Sequence, residues 1–235
     1  MNASDGSKVS GPSASVPATH AQLHAWIGKY ETRVGEEAAR QAQLHCQRWR
    51  QACTPAAVQI WLAARDVWLP GVVSVDQLSV SVNRLALLDA ADLRKVLSAR
   101  VLYRSRAGLR RVVARSQREQ LLAAVGARAL ECLQREDAAV ATSAPPLPAS
   151  FSAASLAAEG WQLIQSEDIG LAPTAAALVA FALASEQIAN VAMAEVAGGG
   201  RDKHGLSGQL SGDSESARFF SKLGSFFPEM QWLFG

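Results

Sequence analysis

Residues 89–115 read DAADLRKVLSARVLYRSRAGLRRVVAR, and this stretch decides the fold class. Asp89 stands where a helix N-cap belongs, its short carboxylate placed to accept from a backbone N–H of the first turn. Leu93, Val96, Leu97 and Val101 then recur at three and four residues, the spacing of one buried helix side. The arginines fall on another side. The reading is an amphipathic, basic helix with a break expected near Ser105–Gly108.

The same signals extend upstream. Ser74 and Gln77 form a capping box ahead of Leu78, Val82, Leu85 and Leu88. The Val/Ser alternation over 72–82 also fits a strand, as the second reading. Thr54-Pro55 pairs an N-cap oxygen with proline at the first helical position. Val58, Trp61, Leu62, Trp68 and Leu69 follow as a stripe, ended by Leu69-Pro70-Gly71. Earlier still, Leu23, Ile27, Tyr30, Val34, Ala38, His45, Trp49 and Ala52 keep helical period. Gly28 and Gly35 weaken that part enough that two helices are an alternative. Large aromatics at such spacing belong in a core, so Trp26, Trp49, Trp61 and Trp68 are assigned there.

Downstream, a helix to about Arg135 packs Leu122, Val125, Ala129 and Leu133. No proline occurs between 71 and 144, which suits a long helical region. The predicted fold is all-α: a multi-helix, bundle-like domain with a disordered N-terminus and a flexible Gly/Ser-rich loop before a C-terminal helix. The expected parts are a disordered 1–18, a main helical domain 19–140, a Pro-rich linker 141–150, further helices within 151–197, a flexible loop 198–216 and an aromatic amphipathic tail 217–235.

Composition narrows the function. Hydrophobic residues make up 49% of 235, enough for one sizeable core. Cys46, Cys53 and Cys132 show no short paired spacing, and an odd count without a signal-peptide pattern suggests a reducing compartment. No run approaches the roughly 18 apolar residues of a membrane span. His20, His24, His45, Cys46 and Cys53 match no zinc spacing. Gly198-Gly199-Gly200 lacks the Lys-Ser ending of a phosphate loop, and the nearby serines lack the Gly-x-Ser-x-Gly elbow. The expectation is therefore no catalytic set, no cofactor and no metal.

Charge is segregated along the chain. From Asp92 to Arg118 there are nine basic residues and one acid, a local charge of +8. The remainder has 14 basic residues against 20 acids, or −6. On a continuous helix Arg100, Arg104, Arg111, Arg115 and Arg118 share one side. Such a stripe serves as a solvated face, as a phosphate-binding surface, or as a docking surface for acidic protein side chains. Tyr103 is its only aromatic, which leaves little for base contact.

The tail holds five of the seven phenylalanines within 219–234. Phe219, Leu223, Phe226 and Met230 recur like one helix face, widened by Phe220, Phe227 and Phe234, with Trp232 beside them. The first reading is a helix docked back on the body. An anchor for a partner's groove comes second. A membrane-surface helix comes third, since the tail has no basic face.

Residues 68–130 resemble the SctK family of type III secretion accessory proteins, in the version found in Hrp-type systems of plant-associated bacteria. The likeness is carried by Trp68-Leu69-Pro70, the leucine-rich lead-in at 85–97, the pattern R-x-L-x-R-x-R-x-x-L-R-R from Arg100 to Arg111, and Gly126 before another helix. The resemblance implies a non-enzymatic cytoplasmic adaptor, peripheral to the inner-membrane secretion apparatus. Its partners would be the C-ring component of the sorting platform and the cytoplasmic domain of the inner-membrane ring, with no nucleic acid. The candidate partner-binding residues are Arg100, Arg104, Arg111, Arg115, Arg118, Phe219, Phe220, Leu223, Phe226, Phe227 and Trp232.

Overall fold

Local signals place several helix starts. The computed structural model describes residues 19–136, 146–190 and 215–234; among them every regular element is helical. The expected disorder at 1–18, the first half of the linker (141–145), the end of the further helices (191–197) and the Gly/Ser-rich loop up to 214 lie outside the described residues. Helix α1 spans His20–Arg48, and its Thr19 cap forms a complete capping box with Gln22. α2 spans Pro55–Ala63 and starts as expected, the Thr54 side chain accepting from the Ala57 N–H. α3 is Arg65–Trp68, and α4, Val75–Ser79, begins at the Ser74/Gln77 capping box. A 3-10 helix then covers Ser81–Leu87. The strand reading of 72–82 is thereby excluded.

α5, Ala90–Arg104, starts at the Asp89 cap, and the break after it falls where glycine and serine suggested. A short α6 covers Arg106–Leu109, α7 covers Arg115–Val125 and α8 covers Ala127–Arg135. Gly126 separates the last two at φ +84°, a left-handed backbone that suits glycine. α9 is Ala153–Ser166, α10 is Pro173–Asn190 and α11 is Glu215–Phe226. A 3-10 turn at Pro228–Met230 leads into α12, Gln231–Phe234.

α1 is one helix through both glycines. Its buried row is Trp26, Tyr30, Val34, Ala38, Ala42 and Cys46, which keeps Tyr30, Val34 and Ala38 of the expected stripe and departs from it toward both ends. Ile27 and Trp49 are accordingly outside the core, at 40% and 62% exposed. The row is anchored on Trp26, whose ring lies 4.1 Å from the Arg84 guanidinium. On α7 the buried leucine is Leu121, and Leu122 faces out.

α5 is the central element. Leu93, Val96, Leu97, Ala99, Val101 and Leu102 are all sealed from solvent. A helix buried on so many sides needs neighbours all round, and α7, α8, α9, α10 and α11 supply them. α9 makes the closest approach. A Cβ on Gly160 would sit 2.1 Å from the Leu97 carbonyl oxygen, so only glycine allows this crossing. Asn83, fully buried, ties the loop before α10 to the 3-10 helix. Its Nδ2 donates to the Gly170 carbonyl at 3.2 Å and its Oδ1 accepts from the Ala172 N–H at 2.7 Å.

The tail packs on the body. Phe219, Phe220, Leu223, Phe226, Phe227, Met230, Leu233 and Phe234 are buried in the shared core. The Tyr103 ring of α5 meets Phe219 and Phe226 at 5.6 and 6.1 Å between centroids.

Gly160→Ala is expected to lower stability by about 3 kcal/mol, since backbone and not a movable side chain meets the new methyl. Gly28→Ala meets nothing within 4 Å and is expected to gain about 0.5–1 kcal/mol from helix propensity. Urea unfolding midpoints of the two variants check the pair; equal midpoints would mean that α5 and α9 do not cross as described.

Candidate partner-docking surface

The five arginines separate into two environments. α5 ends at Arg104, where Ser105 turns the chain and its hydroxyl donates to the Pro146 carbonyl at 3.2 Å. Residues 110–114 form a turn, and α7 starts afresh at Arg115. The expected continuous stripe from Arg100 to Arg118 is therefore not one helix face.

Arg100 is a correction to the sequence reading. It is only 1% exposed and points inward. Its Nε donates to the Ser216 hydroxyl at 2.7 Å. Its Nη2 donates to Glu167 at 2.6 Å and lies 3.3 Å from Glu215. Glu167, at the C-terminal end of α9, also accepts from the Ser216 backbone N–H at 3.2 Å, which sets a carboxylate on the first turn of α11. Arg106 lies over the Tyr103 ring at 4.5 Å and pairs with Glu215 at 3.2 Å. These contacts clamp α5, α9 and α11 together. The sequence reading missed Glu167, Glu215 and Ser216, since they lie 67, 115 and 116 residues from Arg100. The last two also fall in the stretch expected to be a loop.

The tail candidates are corrected in the same way. Phe219, Phe220, Leu223, Phe226 and Phe227 hold the fold from inside and present no free surface. Trp232, at 44% exposed, is the one tail candidate that reaches solvent.

The remaining arginines, the shelf of the stretch from 104 to 118, lie outside the core. Arg104 closes α5, Arg111 sits in the turn, and Arg115 and Arg118 lie on the first turn of α7; all four are exposed. Arg115 pairs with Glu119 at 2.9 Å, with both side chains in solvent, so the pair is worth little. Arg110 fixes the turn from behind, its Nε donating to the Gln134 carbonyl at 2.6 Å at the C-terminal end of α8. At the tip of the turn Val113 is 92% exposed. Exposed guanidinium groups can meet acidic side chains, and an exposed valine in the same stretch can add an apolar contact.

The chain's family follows from a comparison with family models. Residues 11–229 match the model described as Bacterial type III secretion protein (HrpB4). The chain belongs to this family. Comparisons with curated proteins and with solved structures give no match. Among the described residues, no helix is long and apolar enough to cross a membrane. No group of three or more His, Cys, Asp or Glu among them is arranged to hold a metal ion. A type III secretion protein works within a multi-protein apparatus, and the shelf is an exposed polar surface suited to such contacts.

Arg100→Met is expected to cost about 3 kcal/mol, because it leaves Glu167 without its cation and Ser216 without its guanidinium donor. Arg104, Arg111 and Arg115 changed to Glu should each cost within about 0.5 kcal/mol, as exposed residues do. Chemical unfolding of both variants checks this; an Arg100→Met protein as stable as the surface triple would remove the clamp from the account.

Proposed function

We propose that the chain is an SctK-type adaptor of a type III secretion system. It would link the C-ring component of the sorting platform to the cytoplasmic domain of the inner-membrane ring, from the cytoplasmic side and without catalysis. The observation that carries this reading is the shelf of Arg104, Arg111, Arg115 and Arg118, exposed along a turn that Arg110 ties to the end of α8. The family match supplies the apparatus. The shelf supplies a surface that recognises carboxylates.

The competing reading, a basic nucleic-acid-binding regulator, fits the same arginines less well. Tyr103, the one aromatic of the stretch, is 3% exposed and packed on Phe219 and Phe226. No exposed aromatic ring on the shelf offers a stacking platform for a base.

The triple Glu variant at Arg104, Arg111 and Arg115 is expected to keep its melting temperature and lose the secretion components that co-purify with the wild-type chain from its native host. Carboxylates at these positions would repel an acidic partner in place of binding it. In parallel, labelled DNA and RNA are titrated at two salt concentrations. Micromolar wild-type binding that weakens steeply with salt and vanishes in the triple variant would overturn the adaptor reading.

A further inference from the structure

We propose that the hairpin formed by the end of α1 with α2 and α3 is a second docking site, and that its occupant is an amphipathic helix of another protein with acidic flanks. α2 reads PAAVQIWLA, apolar on every side except Gln59, yet none of its residues is buried. A helix of that composition is ordinarily covered on all faces. Among the described residues α2 packs chiefly on α1 and α3. Trp49 is 62% exposed, Ile60 68% and Val67 86%. Between α1 and α2 lies an apolar groove of about 450 Å³, bordered by His45, Ala57, Ile60, Trp61 and Val67.

The groove's dimensions and charge specify the occupant. Nine residues of α2 run for about 13.5 Å, which suits two to three turns of helix inserting apolar side chains at i, i+3 or i+4, and i+7. Between His45 and Trp68 the charged residues are Arg48, Arg50, Arg65 and Asp66. Asp66 lies 3.8 Å from Arg65, leaving Arg48 and Arg50 exposed as the net charge at the end of the hairpin. Arg50 takes the left-handed turn position at φ +51°, where glycine or asparagine is the cheaper choice. A second copy would bring the same positive rim against this one. The chain's own VAMAEVA at 191–197 carries one acid and mostly small side chains, poor filling for the groove. The inference rests on the hairpin and does not require the adaptor reading.

The test uses the full chain and two synthetic 14-residue helical peptides with the same leucine face, one flanked by Glu and the other by Lys. The Glu peptide is expected to bind saturably and at least tenfold more tightly than the Lys peptide, by calorimetry. Ile60→Glu should weaken it tenfold or more without moving the melting temperature, and Arg48→Glu with Arg50→Glu should reverse the preference between peptides. No saturable binding, or equal affinity for both peptides, overturns the proposal. A photoreactive phenylalanine replacing Ile60 in the native host gives an independent readout. Cross-linking to an acidic, amphipathic helical segment of another protein supports the site; cross-linking to residues 191–214 or to a second copy overturns it.

Discussion

The burial of the Arg100 guanidinium governs the rest of the structure. Moving a cation out of water costs several kcal/mol unless ionic and hydrogen-bonding partners replace the hydration. Glu167, Ser216 and Glu215 do so from two other elements, and Glu167 also accepts the Ser216 N–H at the start of α11. One Nη1 remains buried without a partner, so the arrangement carries some cost of its own. Replacing a buried ion pair by apolar residues of the same volume is often neutral or stabilising. What the arginine adds is direction: an apolar residue would accept α11 in many registers, whereas three polar contacts accept it in one.

That registry carries the phenylalanine cluster. With Ser216 fixed on Arg100, Phe219 and Phe226 arrive on the Tyr103 ring and Phe220 stacks on Phe234 at 6.2 Å. A second arginine secures the far end. Arg84 donates to the Leu233 carbonyl at 2.8 Å while also gripping the Leu78 and Ser79 carbonyls and covering Trp26. Charged side chains thus position both ends of the tail, and apolar burial supplies the stabilisation between them.

Helix starts were legible because their causes are local. Thr54-Pro55, Ser74 with Gln77, and Asp89 each satisfy backbone N–H groups within three residues, and each appears as expected. Docking of the tail was also legible from its apolar density. The fate of individual arginines was not. Arg100 and Arg104 are one turn apart on the same helix, yet one is sealed and the other is wet. The difference comes from Glu167 and Glu215, which no short window of sequence contains. Trp49 shows the same limit from the apolar side: its spacing fitted a core stripe, but α1 buries the row through Cys46, leaving Trp49 past the last covered turn.

The chain therefore uses similar side chains for opposite purposes, and burial alone separates them. Arginines that clamp the core are paired across long sequence distances, while those of the shelf are paired locally or face water. Aromatic and apolar residues in the tail are enclosed by the chain, while those of the α1–α2 hairpin are left open. Loss of a tail phenylalanine would expose core and remove every surface at once, so its functional consequence would be indistinguishable from unfolding. Loss of Arg111 or Ile60 removes a surface and leaves the core untouched. The residues by which a member of this family engages its apparatus are to be sought among the second kind, even though the first kind dominates the sequence by charge density and hydrophobicity.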